Sequence, residues 1–246
     1  MTLFTLVGLF TPVDAAFENL ILQSSLHLPP AQNRNQPYVY SGSLIFPSFK
    51  YLNQFEMGIF FPFKKILVKG HLFTSGDRLY RESAASVSAG IHLNSRLNYT
   101  LKVTGYHTQI DRYGAASGWS IGFSTALKLN DEILLIVDYD NLLTDQSDSF
   151  SDDIPKRGIL SIESHVMDNQ KLVYRLENEI PHEVNHHLFW QSTLRPTFRI
   201  LGGFTSNPKT INFSGQFEKG KMTISVGTMY HPILSSSIGI RLFYNL

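Results

Sequence analysis

The sequence predicts an all-β fold, a single antiparallel β-barrel of about fourteen strands that crosses a membrane. Three observations predict it. Large apolar residues alternate with small or polar residues through most of the chain, as in strands with two different faces. Each alternating segment is close to the ~9–11 residues that a tilted strand needs to cross a bilayer. Long polar connections also alternate with tight turns, which is typical of transmembrane barrels.

Composition excludes several other classes. The chain has 246 residues, of which 43% are hydrophobic, 13% aromatic and only 17% charged. Its formal net charge of +1 gives no reason to expect a nucleic-acid partner. It has no cysteine, which excludes disulfides and thiolate chemistry. It also lacks a run of 18 apolar residues, so we expect no membrane-spanning helix.

The first stretch, "MTLFTLVGLFTPVDAAF", has the apolar run and small-residue exit of a secretory signal. Val13 and Ala15 stand at the −3 and −1 positions of the cleavage site. We therefore expect a signal peptide over 1–15, a short N-terminal segment that could form a vestigial plug over 16–36, and the barrel over 37–246. The alternative is that the apolar run is a first strand or a buried segment.

The period-two alternation then predicts each strand in order. The predicted strands span 38–49, 54–63, 66–75, 84–94, 96–109, 117–129, 132–141, 158–167, 171–180, 186–194, 196–205, 210–218, 221–230 and 235–245.

The last two strands show how the faces should be used. In "KMTISVGTMY", Met222, Ile224 and Val226 alternate with small or hydroxylated residues, and the final strand repeats the pattern with Arg241 on its polar side. A closed barrel pairs every backbone group, as lipid demands. The apolar face should therefore contact lipid, and Arg241 should point into the lumen.

Charged residues on the polar faces of other strands should share that lumen. The candidate lumen charges are Lys69, Lys102, Glu163, Arg175, Glu177 and Arg241. They could gate a pore or bind a solute, but the favoured interpretation is a salt-bridged filling that closes the barrel. Small residues such as Ser86, Ser88 and Gly90 should keep this interior from overfilling.

Aromatic residues cluster near the predicted strand ends, where aromatic girdles lie in membrane barrels. The predicted girdle residues are Phe46, Phe60, Phe61, Phe63, Tyr99 and Tyr139.

If the chain starts on the periplasmic side, connections after odd-numbered strands face outward. These include loops over 76–83, 110–116 and 142–156, whereas connections after even-numbered strands are tight turns such as "KK", "ND" and "KG". Arginine and tyrosine dominate protein interfaces. The candidate partner-binding residues in the outward loops are therefore Arg78, Tyr80, Arg81, Arg112 and Tyr113.

Three patterns imitate catalytic or metal sites. The sequence "HEVNH" places His182, Glu183 and His186 at the spacing of a helical zinc site, but Pro181 precedes it and strands flank it. The acidic stretch 145–155 lacks the glycine and terminal glutamate of an EF-hand. We therefore expect polar loops at both places, with no metal or cofactor.

Ser192 and Ser237 are the serines that could be cast as nucleophiles beside a histidine. No acid, base and nucleophile stand in a recognisable order around either of them. We expect no catalytic residue and no enzymatic activity.

Several segments together carry a resemblance: "SLIFPSFKYLNQFEMGIFFPF", "GDRLYRESAASVSAGIHL", "DRYGAASGWSIGFSTALKLND", "LRPTFRILGGFTSNP" and "MYHPILSSSIGIRLFY". Over about 36–244 the chain resembles the PorV/PorQ-type branch of the FadL-like outer-membrane barrels. The resemblance implies a fourteen-stranded barrel in the cell outer membrane. It also implies Bacteroidota-type biology, often linked to type IX secretion.

Two functions are therefore expected from the sequence. The favoured one is a non-enzymatic barrel that acts as a structural or partner-binding component of a type IX-like secretion or envelope-assembly machine. Its partners would be outer-membrane lipid and other envelope proteins. The alternative is a FadL-like transporter of small hydrophobic solutes.

Overall fold

The computed structural model describes residues 37–48, 53–63, 66–146, 156–180, 184–207, 209–232 and 235–246. The predicted signal peptide and the segment 16–36 lie outside these residues. Within them the strands are β1 (Tyr38–Ile45), β2 (Gln54–Phe63), β3 (Ile66–Gly76), β4 (Tyr80–His92), β5 (Leu97–Ile110), β6 (Gly114–Lys128), β7 (Ile133–Gln146), β8 (Lys156–Met167), β9 (Gln170–Ile180), β10 (Asn185–Arg195), β11 (Phe198–Ser206), β12 (Lys209–Lys219), β13 (Met222–His231) and β14 (Ser235–Asn245).

The strands form one closed antiparallel barrel, and the predicted all-β, fourteen-stranded fold is confirmed. Strands that follow each other in sequence lie side by side, and β1 closes the barrel against β14. The closing ladder runs in register from Tyr38 opposite Asn245 to Ile45 opposite Ile238. A closed sheet has no unpaired edge, which is what allows strands to lie in lipid.

Within the described residues, no helix is long and apolar enough to cross a membrane.

The two faces of the sheet separate by chemistry, because successive side chains of a strand point to opposite sides. On the closing hairpin, Val226 and Ile240 are 49% and 46% exposed on the outer face. Their neighbours Ser225, Ser237 and Arg241 are buried on the inner face. The predicted orientation of this hairpin is confirmed, with an apolar exterior and a polar lumen.

Several strands are longer than the alternation predicts. Strand β4 begins at Tyr80 and pairs with β3 from Arg81 opposite Gly76, and β5 and β6 pair up to Ile110 opposite Gly114. The predicted loops 76–83 and 110–116 are therefore largely strand, joined by turns at 77–79 and 111–113. The correction has a simple cause: backbone ladders continue past the lipid-facing band, where the side chains no longer need to be apolar.

Asparagine and aspartate side chains build the tight turns. The Asp77 carboxylate accepts hydrogen bonds from the backbone N–H groups of Leu79 (2.8 Å) and Tyr80 (3.2 Å). Asn94 and Asn130 accept equivalent pairs of bonds at 2.7–2.9 Å in the turns after β4 and β6. These local bonds replace ladder partners where the chain reverses.

The predicted aromatic girdle holds for four of its residues. Phe61, Phe63 and Tyr99 are 45%, 65% and 42% exposed on the outer face. The Tyr139 ring stacks on the lipid-facing Phe123 with their centroids 6.1 Å apart.

The girdle prediction is wrong for Phe46 and Phe60. They are only 2% and 6% exposed and belong to an interior aromatic cluster. Phe60 shares its face with Gln54 and Glu56, both buried in the lumen. Position near a strand end does not distinguish girdle from lumen, because a shift of one residue exchanges the two faces.

Candidate functional site in the barrel lumen

One side of the lumen carries four alternating charges and a histidine, which lie on five of the strands between β5 and β10. Lys102 on β5 pairs with Asp140 on β7. Arg157 on β8 lies between Asp140 (Nη2 to Oδ2, 3.5 Å) and Glu177 on β9 (Nη1 to Oε1, 3.7 Å). The second oxygen of Glu177 is 3.4 Å from Nε2 of His187 on β10. We call these five residues the ion-pair chain.

Two further contacts extend the polar surface beside the ion-pair chain. Lys171 on β9 pairs with Glu163 on β8. Arg175 donates from Nε to the Ser161 hydroxyl at 3.3 Å, and these two residues lie directly opposite each other in the β8–β9 ladder. The predicted lumen charges on β5, β8 and β9 therefore share one wall. The ion pairs they form there neutralise most of their charge.

A second ion-paired group forms only because the barrel closes. Arg241 on β14 pairs with Glu56 on β2, whose other oxygen is 3.3 Å from Nε2 of His71 on β3. The Arg241 guanidinium also lies 5.6 Å from the centroid of the Tyr40 ring, and Lys69 Nζ lies 5.7 Å from the same centroid. Lys69 and Arg241 thus both face the lumen, as the sequence predicts, and both contact one tyrosine.

An aromatic patch fills the lumen beside Arg241. The Tyr38 ring stacks on Phe60 at 5.0 Å and the Tyr40 ring on Phe243 at 5.6 Å between centroids. Gly58 lies directly opposite Tyr40 on β2, and a Cβ there would collide with the Tyr40 ring. The glycine allows the Tyr40 ring to lie across β2, so the patch covers the lumen side of β14, β1 and β2.

The wall from β11 to β1 has one row of small residues between two leucines, beside a row that carries Arg199 and Arg241. Leu201, Ser214, Gly227, Gly239 and Leu44 are successive partners across β11, β12, β13, β14 and β1. We call them the small-residue row. A pocket lies along this row and is lined by all five residues. It has room for about one water molecule.

Polar side chains without hydrogen-bond partners border the small-residue row. Asn212 lines the pocket and is 7% exposed, and neither its Oδ1 nor its Nδ2 has a partner in the described part of the chain. The Ser225 and Ser237 hydroxyls, on either side of the row, are fully buried and also without partners there. Buried polar groups are nearly always hydrogen-bonded, so this cluster calls for an explanation.

The five predicted partner-binding residues differ in exposure and in position on the barrel. Arg78 is exposed in the turn after β3, and Arg112 and Tyr113 are 89% (side chain) and 81% exposed in the turn after β5. Arg81 lies exposed on β4. Tyr80 does not lie in an outward loop as predicted. It is part of β4, is half-buried, and donates a hydrogen bond from its hydroxyl to the buried Glu82.

The structure describes only part of the two sequence patterns that resemble metal sites. His186 has its Nδ1 2.7 Å from the hydroxyl of Tyr174 on the outer face, while His182 and Glu183 lie outside the described residues. Residues 147–155 of the acidic stretch also lie outside them. Among the residues that are described, no group of three or more His, Cys, Asp or Glu side chains could hold a metal ion.

Sequence reasoning missed Asp140, Arg157 and Glu56 as lumen charges, and it missed the pocket. Glu56 carries a readable signal, because it alternates with Phe55 and Met57 in "QFEMGIF". The pocket carries no such signal, since it depends on Gly227 and Gly239 being direct partners in a ladder.

No protein-family model and no curated protein matches the sequence. Solved structures do match the fold. The Ralstonia pickettii toluene transporter TbuX aligns with a TM-score of 0.67 over 94% of this chain and 93% of its own, at 8% identity. The Pseudomonas putida toluene transporter TodX aligns at 0.64 over 98% and 93%, with 9% identity.

A third match is the Acinetobacter baumannii outer membrane protein Omp33, with a TM-score of 0.58 over 86% of this chain and 98% of its own, at 10% identity. The three matches show that this chain has the fold of an outer-membrane β-barrel of the FadL-like type.

Proposed function

We propose that this protein is a non-enzymatic outer-membrane channel for small hydrophobic solutes. The observation that carries the proposal is the contrast inside the lumen. The charged residues of the ion-pair chain pair with one another, as do Lys171 with Glu163 and Arg241 with Glu56, while a pocket with an apolar edge lies along the small-residue row. A lumen of this kind offers a neutral solute an apolar surface and offers an ion no preferred path.

The charge arrangement argues against an ion-selective pore. Channels that select ions use rings of like charge or rings of backbone carbonyls. In the ion-pair chain, Lys102 and Arg157 alternate with Asp140 and Glu177, so opposite charges cancel over a few ångströms. The favoured expectation from the sequence, that these charges close the lumen, agrees with this geometry. It leaves the opposite wall as the surface for a solute.

The structural matches support the class of solute. The names of TbuX and TodX describe transporters of toluene, and TodX is also described as a monoaromatic hydrocarbon channel. Both cover most of this chain with the same fold. At this low identity the fold alone is shared, so the solute has to be tested directly.

The test is uptake in Gram-negative cells whose own hydrocarbon channels have been deleted. Cells with this protein in the outer membrane should accumulate labelled toluene faster than cells with the empty vector. The control is a strain producing Omp33 at equal abundance. Toluene accumulation equal to that of the empty-vector strain would refute the proposal.

A second candidate function is the partner-binding role in a secretion or envelope-assembly machine of the PorV/PorQ type. The exposed turn after β5 supports it, because Arg112 and Tyr113 project almost completely into solvent and these residue types dominate interfaces. Affinity purification from detergent-solubilised outer membranes, with Arg112→Ala/Tyr113→Ala as the matched variant, tests this role. Envelope proteins that co-purify with the natural protein and not with the variant would support it.

A further inference from the structure

The pocket on the small-residue row combines an apolar rim with an unpaired amide. Leu44, Leu201 and Met229 supply apolar side chains, and Asn212 supplies the polar group. Asn212 lies on β12, directly opposite Met229 on β13. More than nine-tenths of this asparagine is buried and neither amide atom has a partner among the described residues, so a bound water molecule or a ligand group has to satisfy the amide.

The free atoms of Asn212 define the chemistry of that group. Nδ2 can donate and Oδ1 can accept, so one group that both accepts and donates would satisfy both. A hydroxyl does this, whereas a carboxylate only accepts and an ammonium only donates. The charged residues beside the row are already paired, Arg199 with Glu218 (3.7 Å) and Arg241 with Glu56.

The size of the pocket agrees with this chemistry. Its room for about one water molecule fits a hydroxyl group and excludes an aromatic ring. Leu44, Leu201 and Met229 are only 1%, 2% and 4% exposed, so these side chains must move apart for the apolar body of the solute to contact them.

We infer that the channel has a recognition site at Asn212 for a small neutral solute with an apolar body and one hydroxyl, such as a phenol. The inference rests on the proposed function and narrows its solute class. Sites built to hydrogen-bond a hydroxyl discriminate strongly against the analogue that lacks it, because their own polar groups are then left unpaired.

The probes are p-cresol and toluene, which share the same methyl-substituted ring and differ by one hydroxyl. Binding to the purified protein in detergent is measured for both, together with uptake by whole cells. The natural protein should bind p-cresol at least about tenfold more tightly than toluene. Asn212→Leu should weaken p-cresol binding by about five- to tenfold, while toluene binding stays the same or improves.

The matched control is Gln216→Leu, which removes another buried amide from the lumen face of β12. Gln216 lies outside the pocket, opposite Ser225. It should leave the preference for p-cresol intact. Asn212→Ser is a second variant, for use if the leucine variant does not assemble. It places a hydroxyl at this position and should therefore retain part of the preference for p-cresol.

The outcomes separate the two proposals. If neither solute enters the cells, the proposed function is wrong. If both enter and the natural protein binds them equally, the channel remains and the recognition site is refuted. Equal weakening of p-cresol binding by Asn212→Leu and Gln216→Leu would also refute the site, because it would show a general effect on the lumen.

Discussion

The two sides of the lumen use opposite means to fill the same barrel. Across β5–β10 the ion-pair chain spans the gap between strands with long charged side chains held 3.4–3.7 Å apart. From β11 to β1 the small-residue row leaves the backbone bare only at its centre, where Gly227 lies directly opposite Gly239. Both walls have the same apolar exterior, so lipid does not impose the difference. The comparison teaches that one wall fills the lumen with paired side chains, whereas the other leaves a pocket with room for about one water molecule.

Breaking the ion-pair chain should have the largest effect. Glu177→Gln removes the charge between Arg157 and His187 and leaves a buried guanidinium partly uncompensated. We expect a loss of about 3–5 kcal/mol in the free energy of unfolding. Urea unfolding of the barrel in detergent micelles measures it.

The double variant Glu177→Gln/Arg157→Met serves as the control for that prediction. It removes both charges and leaves Asp140 paired with Lys102, so it should be less destabilised than Glu177→Gln alone. A single variant as stable as the natural protein would show that the chain does not support the barrel.

Substituting one arginine on the outer face of each wall tests whether the two walls share the same apolar exterior. Leu160 on β8 and Ile240 on β14 are 39% and 46% exposed near the middle of their strands. Leu160→Arg and Ile240→Arg should each cost about 2–4 kcal/mol, because arginine at the bilayer midplane is unfavourable. Assembly is followed by the heat-dependent mobility of the barrel on gels. A large difference between the two variants would mean that the walls also differ on the outside.

Filling the small-residue row should affect the solute more than the fold. Gly227→Val fills a pocket that has room for about one water molecule, so it should exclude the hydroxyl of p-cresol and lower p-cresol uptake by about tenfold. Gly105→Val is the control, because a Cβ at Gly105 would meet only a backbone oxygen at 4.0 Å. Equal uptake by both variants would show that the small-residue row is not part of the solute path.

The smallest effect should come from the exposed turn after β5. Arg112→Ala/Tyr113→Ala changes side chains with little contact to the barrel, so the free energy of unfolding should stay within about 0.5 kcal/mol. Toluene uptake should also be unchanged. Reduced uptake with unchanged stability would place this turn on the solute path rather than on a partner surface.

The sequence by itself determined the strands and their faces. Its period-two alternation is local, so each strand can be identified from its own residues, and every candidate lumen charge from Lys69 to Arg241 lies on the inner face. The same reasoning failed for Phe46 and Phe60, because both a girdle and a lumen accept an aromatic residue near a strand end. Loop boundaries failed where polar strand ends extend past the lipid.

Only the tertiary structure decided which of these residues meet. Closing the barrel brings Glu56 on β2 to Arg241 on β14, and the ladder registers join Lys102, Asp140 and Arg157 from three strands. Register and closure are properties of the whole sheet, since sliding one strand by two residues keeps every face but changes every partner. The pocket depends on such a register, because Gly227 makes room only while it lies opposite Gly239.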